Sequence, residues 1–110
     1  MNIETKNLLK KNASEILTLI DKKEISIEEV LESSLNRIKE INPDINAIVT
    51  LINEDEKKRL INNFDNSTDS ILKGMPVLIK DMNDVKDMRT TYGSKLYADH
   101  IPKKSDIVVQ

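Results

Sequence analysis

The chain has 110 residues, of which 38% are apolar, with one Phe, two Tyr and no Trp, so it can bury one modest core built from Ile, Leu and Val. Charged residues make up 33% yet leave a net charge of −2, which gives no field to draw in nucleic acid or anionic lipid. With no cysteine, disulfides, thiolate nucleophiles and cysteine-based zinc sites are excluded, and no apolar run suits a signal core or a membrane span. The expectation is a cytoplasmic chain with no membrane partner, no nucleic acid bound by these residues, no metal and no cofactor.

The first periodic segment places Ala13, Ile16, Leu17 and Ile20 on one helical face, and Asn12 with Glu15 fits a capping box in front of it. A stronger signal follows. Ser26 and Glu29 form a second capping box, and Ile27, Val30, Leu31, Leu35, Ile38 and Ile41 keep helical spacing up to Asn42-Pro43. Because proline disfavours the α conformation at the residue before it, this helix is expected to end at about Ile41. The β-branched run over residues 47–52 predicts a strand. Residues 53–64 predict a third, mostly exposed helix, with Asn53 and Glu56 at its start and Leu60, Ile61 and Phe64 on one face. Residues 65–70 contain only turn formers and mark a surface loop. Beyond it, Gly74-Met75-Pro76 leads into Val77-Leu78-Ile79-Lys80-Asp81, which suits a strand buried on both faces of a sheet. Residues 82–104 hold no sustained period and read as loop, and Ser105 fits the cap of a last helix starting at Asp106. No dinucleotide-binding glycine pattern, Walker loop or HExxH spacing occurs.

Gly74-Met75-Pro76-Val77-Leu78-Ile79-Lys80-Asp81 resembles the opening motif of the amidase signature family, a glycine-x-proline strand that ends in lysine and aspartate. Thr90-Thr91-Tyr92-Gly93-Ser94 is similar to the Thr-Thr-x-Gly-Ser segment that follows it in that family. Upstream, Ile25-Ser26 with Glu29, Arg37-Ile38 and Asn42-Pro43-Asp44-Ile45-Asn46-Ala47 resemble the family's N-terminal helices and Asn-Pro-x-x-Asn-Ala turn. The resemblance implies an α/β fold: N-terminal helices plus the first strands of a mixed-sheet core, incomplete within these residues. Its parts would be a helical arm with one strand over residues 1–64, a loop over 65–74, and the start of the amidase core over 75–110.

The same resemblance implies cleavage of an amide C–N bond by a serine, a second serine in a cis peptide and a lysine. That makes this chain the N-terminal portion of an amidase or of an A subunit of a tRNA amidotransferase. Lys80 occupies the lysine position, whereas both serines of the family lie C-terminal to these residues, so no residue here takes their roles. A small-molecule amide would be the substrate of the full-length enzyme, and these residues alone are expected to be inactive. The alternative is a non-catalytic module that keeps the fold's N-terminus for binding. Helices and strands lacking part of their cover also predict an exposed apolar patch or self-association.

Lys80 alone would be an ordinary solvated lysine, and it is the surrounding motif that changes its meaning. A lysine serves as a base near neutral pH only when burial or a neighbouring positive charge disfavours its charged form. Asp81 is expected to point away from Lys80 and to accept hydrogen bonds from the following loop. Ser94 lacks a nucleophile elbow and reads as a loop or capping serine, and His100 reads as a surface side chain. Asp87 stands where the family commonly has glycine; a positive φ there would cost about 1 kcal/mol. Ser105-Asp106 is transposed relative to the usual order before Val108-Val109.

Overall fold

The helices start where the sequence supplies partners for a first turn's orphan amides. In the computed structural model, which describes residues 7–65 and 69–110, Asn12 accepts the Glu15 N–H at 2.9 Å and Glu15 accepts the Asn12 N–H at 2.8 Å. This capping box opens α1 (Ala13–Asp21). Ser26 and Glu29 repeat it at 3.1 and 2.8 Å at the head of α2 (Ile27–Ile45). α3 (Glu54–Asn62) begins with Glu54, Asp55 and Glu56, three carboxylates at the end of a helix that favours negative charge. No helix among the described residues is long and apolar enough to cross a membrane.

The chain divides into two compact units, one of Met1–Asn46 with Glu54–Pro76 and one of Ala47–Asn53 with Val77–Gln110. Among the described residues, α1, α2 and α3 all belong to the first. Its core is Leu8, Ile16 and Val30, with Leu19, Ile20, Ile25 and Met75 packed around them. Gly74 lets the chain pass tightly over the start of α2: φ is +75°, and a Cβ there would overlap Ile27 Cγ2. Two inward positions escaped the apolar pattern. Ser33 is fully buried because its hydroxyl bonds back to the Glu29 carbonyl at 2.7 Å. Lys57 is buried with its ammonium on Glu32 and, at 2.7 Å, on Glu54; the hydrogen bonds it donates to these two carboxylates hold it above the ordinary lysine value.

The α/β expectation is overturned, because the described residues form helices and contain no strand. An isolated β-branched run leaves its N–H and C=O groups without a ladder, and a strand is stable only when another pairs with it. Neither residues 47–52 nor residues 77–81 find such a partner among the described residues. Instead of being covered on two faces, Val77, Leu78 and Ile79 are 61, 73 and 41% exposed. Pro43 does not stop α2 at Ile41 either; the helix runs on to Ile45 and ends at Asn46 in the left-handed region, φ +50°. The proline removes one hydrogen bond, to the carbonyl of the exposed Lys39, where solvent can replace it, so the usual penalty is reduced. Within the expected loop at 65–70, residues 66–68 lie outside the described residues, as do residues 1–6.

Candidate functional site

The second unit has little apolar interior; among its described residues only Thr90, Thr91 and Pro102 are buried, and hydrogen bonds give it form. Segments 84–90 and 100–106 run in opposite directions without a regular ladder. Asp106 N–H donates to the Asp84 carbonyl at 3.0 Å and Asp84 N–H to the Asp106 carboxylate at 2.9 Å. Lys86 N–H reaches Ser105 Oγ at 2.9 Å, Asp87 N–H the Pro102 carbonyl at 3.0 Å, and Thr90 N–H the His100 carbonyl at 3.0 Å. Ser105 therefore serves this pairing rather than capping a helix, and residues 107–109 form a turn. Asp87 does take a positive φ, +62°, in the position where a glycine was expected to be easier. Arg89 ties in the remaining piece, donating to the Ala98 carbonyl and, at 3.4 Å, to that of Val49.

Lys80 is exposed, and its carbonyl accepts the Asn83 N–H at 3.0 Å. The next residue, Asp81, is held far more tightly. Its carboxylate accepts the Thr91 N–H at 2.8 Å and the Thr91 hydroxyl, its carbonyl accepts the Tyr92 N–H at 2.9 Å, and the Gly93 N–H donates at 3.3 Å to the Thr91 hydroxyl oxygen beside it. Two consecutive backbone amides and the Thr91 hydroxyl thus converge on one residue. Burial pushes the Asp81 carboxyl up, but the Thr91 bonds and the nearby Gly93 N–H, helped by Arg89, outweigh it and leave it below the usual carboxylate value.

The amides converge because the loop turns sharply. Tyr92 and Gly93 both have positive φ, +52° and +67°, and Ser94 N–H closes the turn on the Thr91 carbonyl at 2.9 Å, as in the type I′ class. Glycine takes this conformation freely, whereas it strains a bulky residue such as Tyr92. The ring's surroundings hold it there. Tyr92 donates its hydroxyl to Asp84, lies 3.2 Å from His100 Nε2, and meets Tyr97 edge-on with ring centroids 5.0 Å apart. The Asp84 hydrogen bond, then burial, push the Tyr92 hydroxyl up to about 12.

Of the residues singled out in the sequence, Asp81 and the Thr90-Thr91-Tyr92-Gly93-Ser94 segment are brought together. Ser94 caps the short 3-10 helix Lys95–Tyr97 by accepting the Leu96 N–H at 3.3 Å, as expected of a capping serine. His100 departs from the surface expectation: it is half-buried against Tyr92 and Tyr97, with Nε2 4.0 Å from Asp84. Asp84 and Asp106 were not foreseen, and no local pattern marks two aspartates that meet across 22 positions.

The Amidase family model matches residues 29–110. Among curated proteins, the chain is 35% identical over 99 residues to the A subunit of the glutamyl-tRNA(Gln) amidotransferase from Thermoanaerobacter pseudethanolicus, covering 87% of this chain and 20% of that protein. The same-named protein of Caldanaerobacter subterraneus subsp. tengcongensis is 37% identical with equal coverage. In Clostridium acetobutylicum the A subunit numbered 1 of that amidotransferase is 35% identical, over 94% of this chain and 22% of its own length. The chain spans about a fifth of the length of these relatives. No solved structure matches it.

Proposed function

The chain belongs to the amidase family, and we propose that it is the N-terminal portion of an enzyme that cleaves amide C–N bonds, with Lys80 as its acid/base group. The observation that carries this is the pairing of Lys80-Asp81 with a Thr-Thr-x-Gly-Ser turn, inside the stretch that the family model covers. The amine belongs to a proton relay that takes a proton from a serine hydroxyl as it attacks the amide carbonyl and passes one to the departing nitrogen. The serines are contributed from further along the full-length chain, as the family resemblance implies. The full-length substrate is a small amide or glutamine, the second in line with relatives named as amidotransferase A subunits. In that case the enzyme works with partner subunits.

The test uses the complete gene product that contains these residues, assayed for ammonia release from L-glutamine and from propionamide. Turnover that falls about 10²–10⁴-fold in Lys80→Ala supports the proposal. Unchanged turnover in Lys80→Ala refutes the role of Lys80. A folded product that releases no ammonia from either amide favours a non-catalytic binding module instead. The 110-residue chain by itself is expected to show no turnover.

A further inference from the structure

A lysine that exchanges protons with a reacting group must be placed closely, since a displacement of about 1 Å can cost on the order of 10²-fold in rate. No ladder among the described residues fixes Lys80 from its N-terminal side, where residues 77–79 are exposed. Its C-terminal side is different. Asp81 receives the Thr91 N–H and hydroxyl on its carboxylate and the Tyr92 N–H on its carbonyl, so the residue that follows Lys80 is tied to the 91–93 turn. The Asn83 N–H adds a bond to the Lys80 carbonyl. Thr91 is itself buried, and the neighbouring Thr90, also buried, donates to the His100 carbonyl, which carries the anchorage into the 84–106 pairing.

We propose that Asp81 is a positioning residue for Lys80, anchored by Thr91, so that the carboxylate seated on the Thr91 N–H and hydroxyl sets where the lysine amine starts. This rests on the role given to Lys80 above. Asp81 touches no reacting atom in this scheme: its oxygens are occupied by loop donors. It acts on kcat through the backbone it holds and leaves substrate affinity alone.

The experiment measures kcat and KM of the complete gene product on L-glutamine and propionamide, normalised to the folded fraction from far-ultraviolet circular dichroism. Asp81→Asn is expected to lower kcat about 10²-fold, with KM changed less than about twofold. Thr91→Val, which removes the hydroxyl's bonds to Asp81 and from the Gly93 N–H and keeps the Thr91 N–H bond, is expected to lower kcat about tenfold, and Thr91→Ser to restore it. A merely structural role would reduce the folded fraction and leave the normalised kcat unchanged. Should Asp81→Asn fail to fold, Thr91→Val and Thr91→Ser decide the matter. Wild-type kcat in Thr91→Val while Lys80→Met is inactive overturns the positioning role and leaves the lysine role standing, as does a rise in KM at constant kcat. An active Lys80→Met, or a wild type inactive on both amides, removes the lysine role and this proposal with it.

Discussion

Replacing Gly74 by alanine adds a single methyl group, yet two independent costs meet there. The residue sits at φ +75°, where an L side chain is disfavoured by about 1–2 kcal/mol. The new Cβ would also lie well under 3.0 Å from Ile27 Cγ2, though at ordinary contact distance from Ile27 Cβ, 3.5 Å, and Ile20 Cδ1, 3.6 Å. Ile27 cannot easily swing aside, because a β-branched side chain in a helix keeps one χ1 rotamer and the Ser26–Glu29 box fixes where α2 starts. Overpacking of this kind costs about 1–3 kcal/mol, so Gly74→Ala should destabilise the first unit by about 2–5 kcal/mol. Because α1, α2 and α3 all lie in that unit, a urea titration followed by far-ultraviolet circular dichroism reads its stability. Ile27→Ala deletes Cγ2 and keeps Cβ, so in that background the penalty should shrink to the φ contribution alone, about 1–2 kcal/mol. A Gly74→Ala midpoint equal to wild type, or a penalty undiminished by Ile27→Ala, would refute the close approach.

Two further outcomes concern the second unit. Asp87→Gly should stabilise it by about 0.5–1 kcal/mol, seen as slower amide hydrogen exchange at Thr90, since φ +62° suits glycine and the bond to the Pro102 carbonyl uses only the backbone N–H. Tyr92 should ionise late, at about 12, in an ultraviolet tyrosinate titration, and Asp84→Asn should bring that step to lower pH. A folded value raised above the unfolded one means stability that is complete below the unfolded tyrosine pKa and lost as pH rises towards about 12. The second unit should therefore loosen in strong alkali, and an Asp84→Asn variant with an unmoved tyrosinate step would contradict the hydrogen bond.

The features legible in the sequence were those whose physics closes within a few residues. Both capping boxes span three positions, and both are present with the bonds expected of them. Val30 and Leu35, picked from a stripe at helical spacing, are buried. Strands need a partner far along the chain, which a β-branched run cannot supply for itself, and the two expected strands did not form. Proline was misjudged for a related reason: its penalty depends on whether the lost bond faces solvent, and at Pro43 the exposed last turn of α2 makes it small. Lys57 and Ser33 were invisible to an apolar pattern because each is buried with its polar group already satisfied, by Glu32 and Glu54 in one case and a backbone carbonyl in the other.

Asp81 shows how a correct expectation can have another cause. Strand alternation was the ground for turning it away from Lys80, and Lys80 is indeed exposed while Asp81 is half-buried, but residues 77–81 form no strand and pleating cannot be what separates them. What orients the carboxylate is a turn ten residues later, which brings the Thr91 N–H and hydroxyl onto it and the Tyr92 N–H onto the Asp81 carbonyl. Tyr92 is strained in that turn, and the bonds to Asp84 and the packing on Tyr97 and His100 offset the strain. The place of Asp81 is therefore set by the Thr-Thr-x-Gly-Ser segment, and hydrogen bonds at Asp81 join the two motifs.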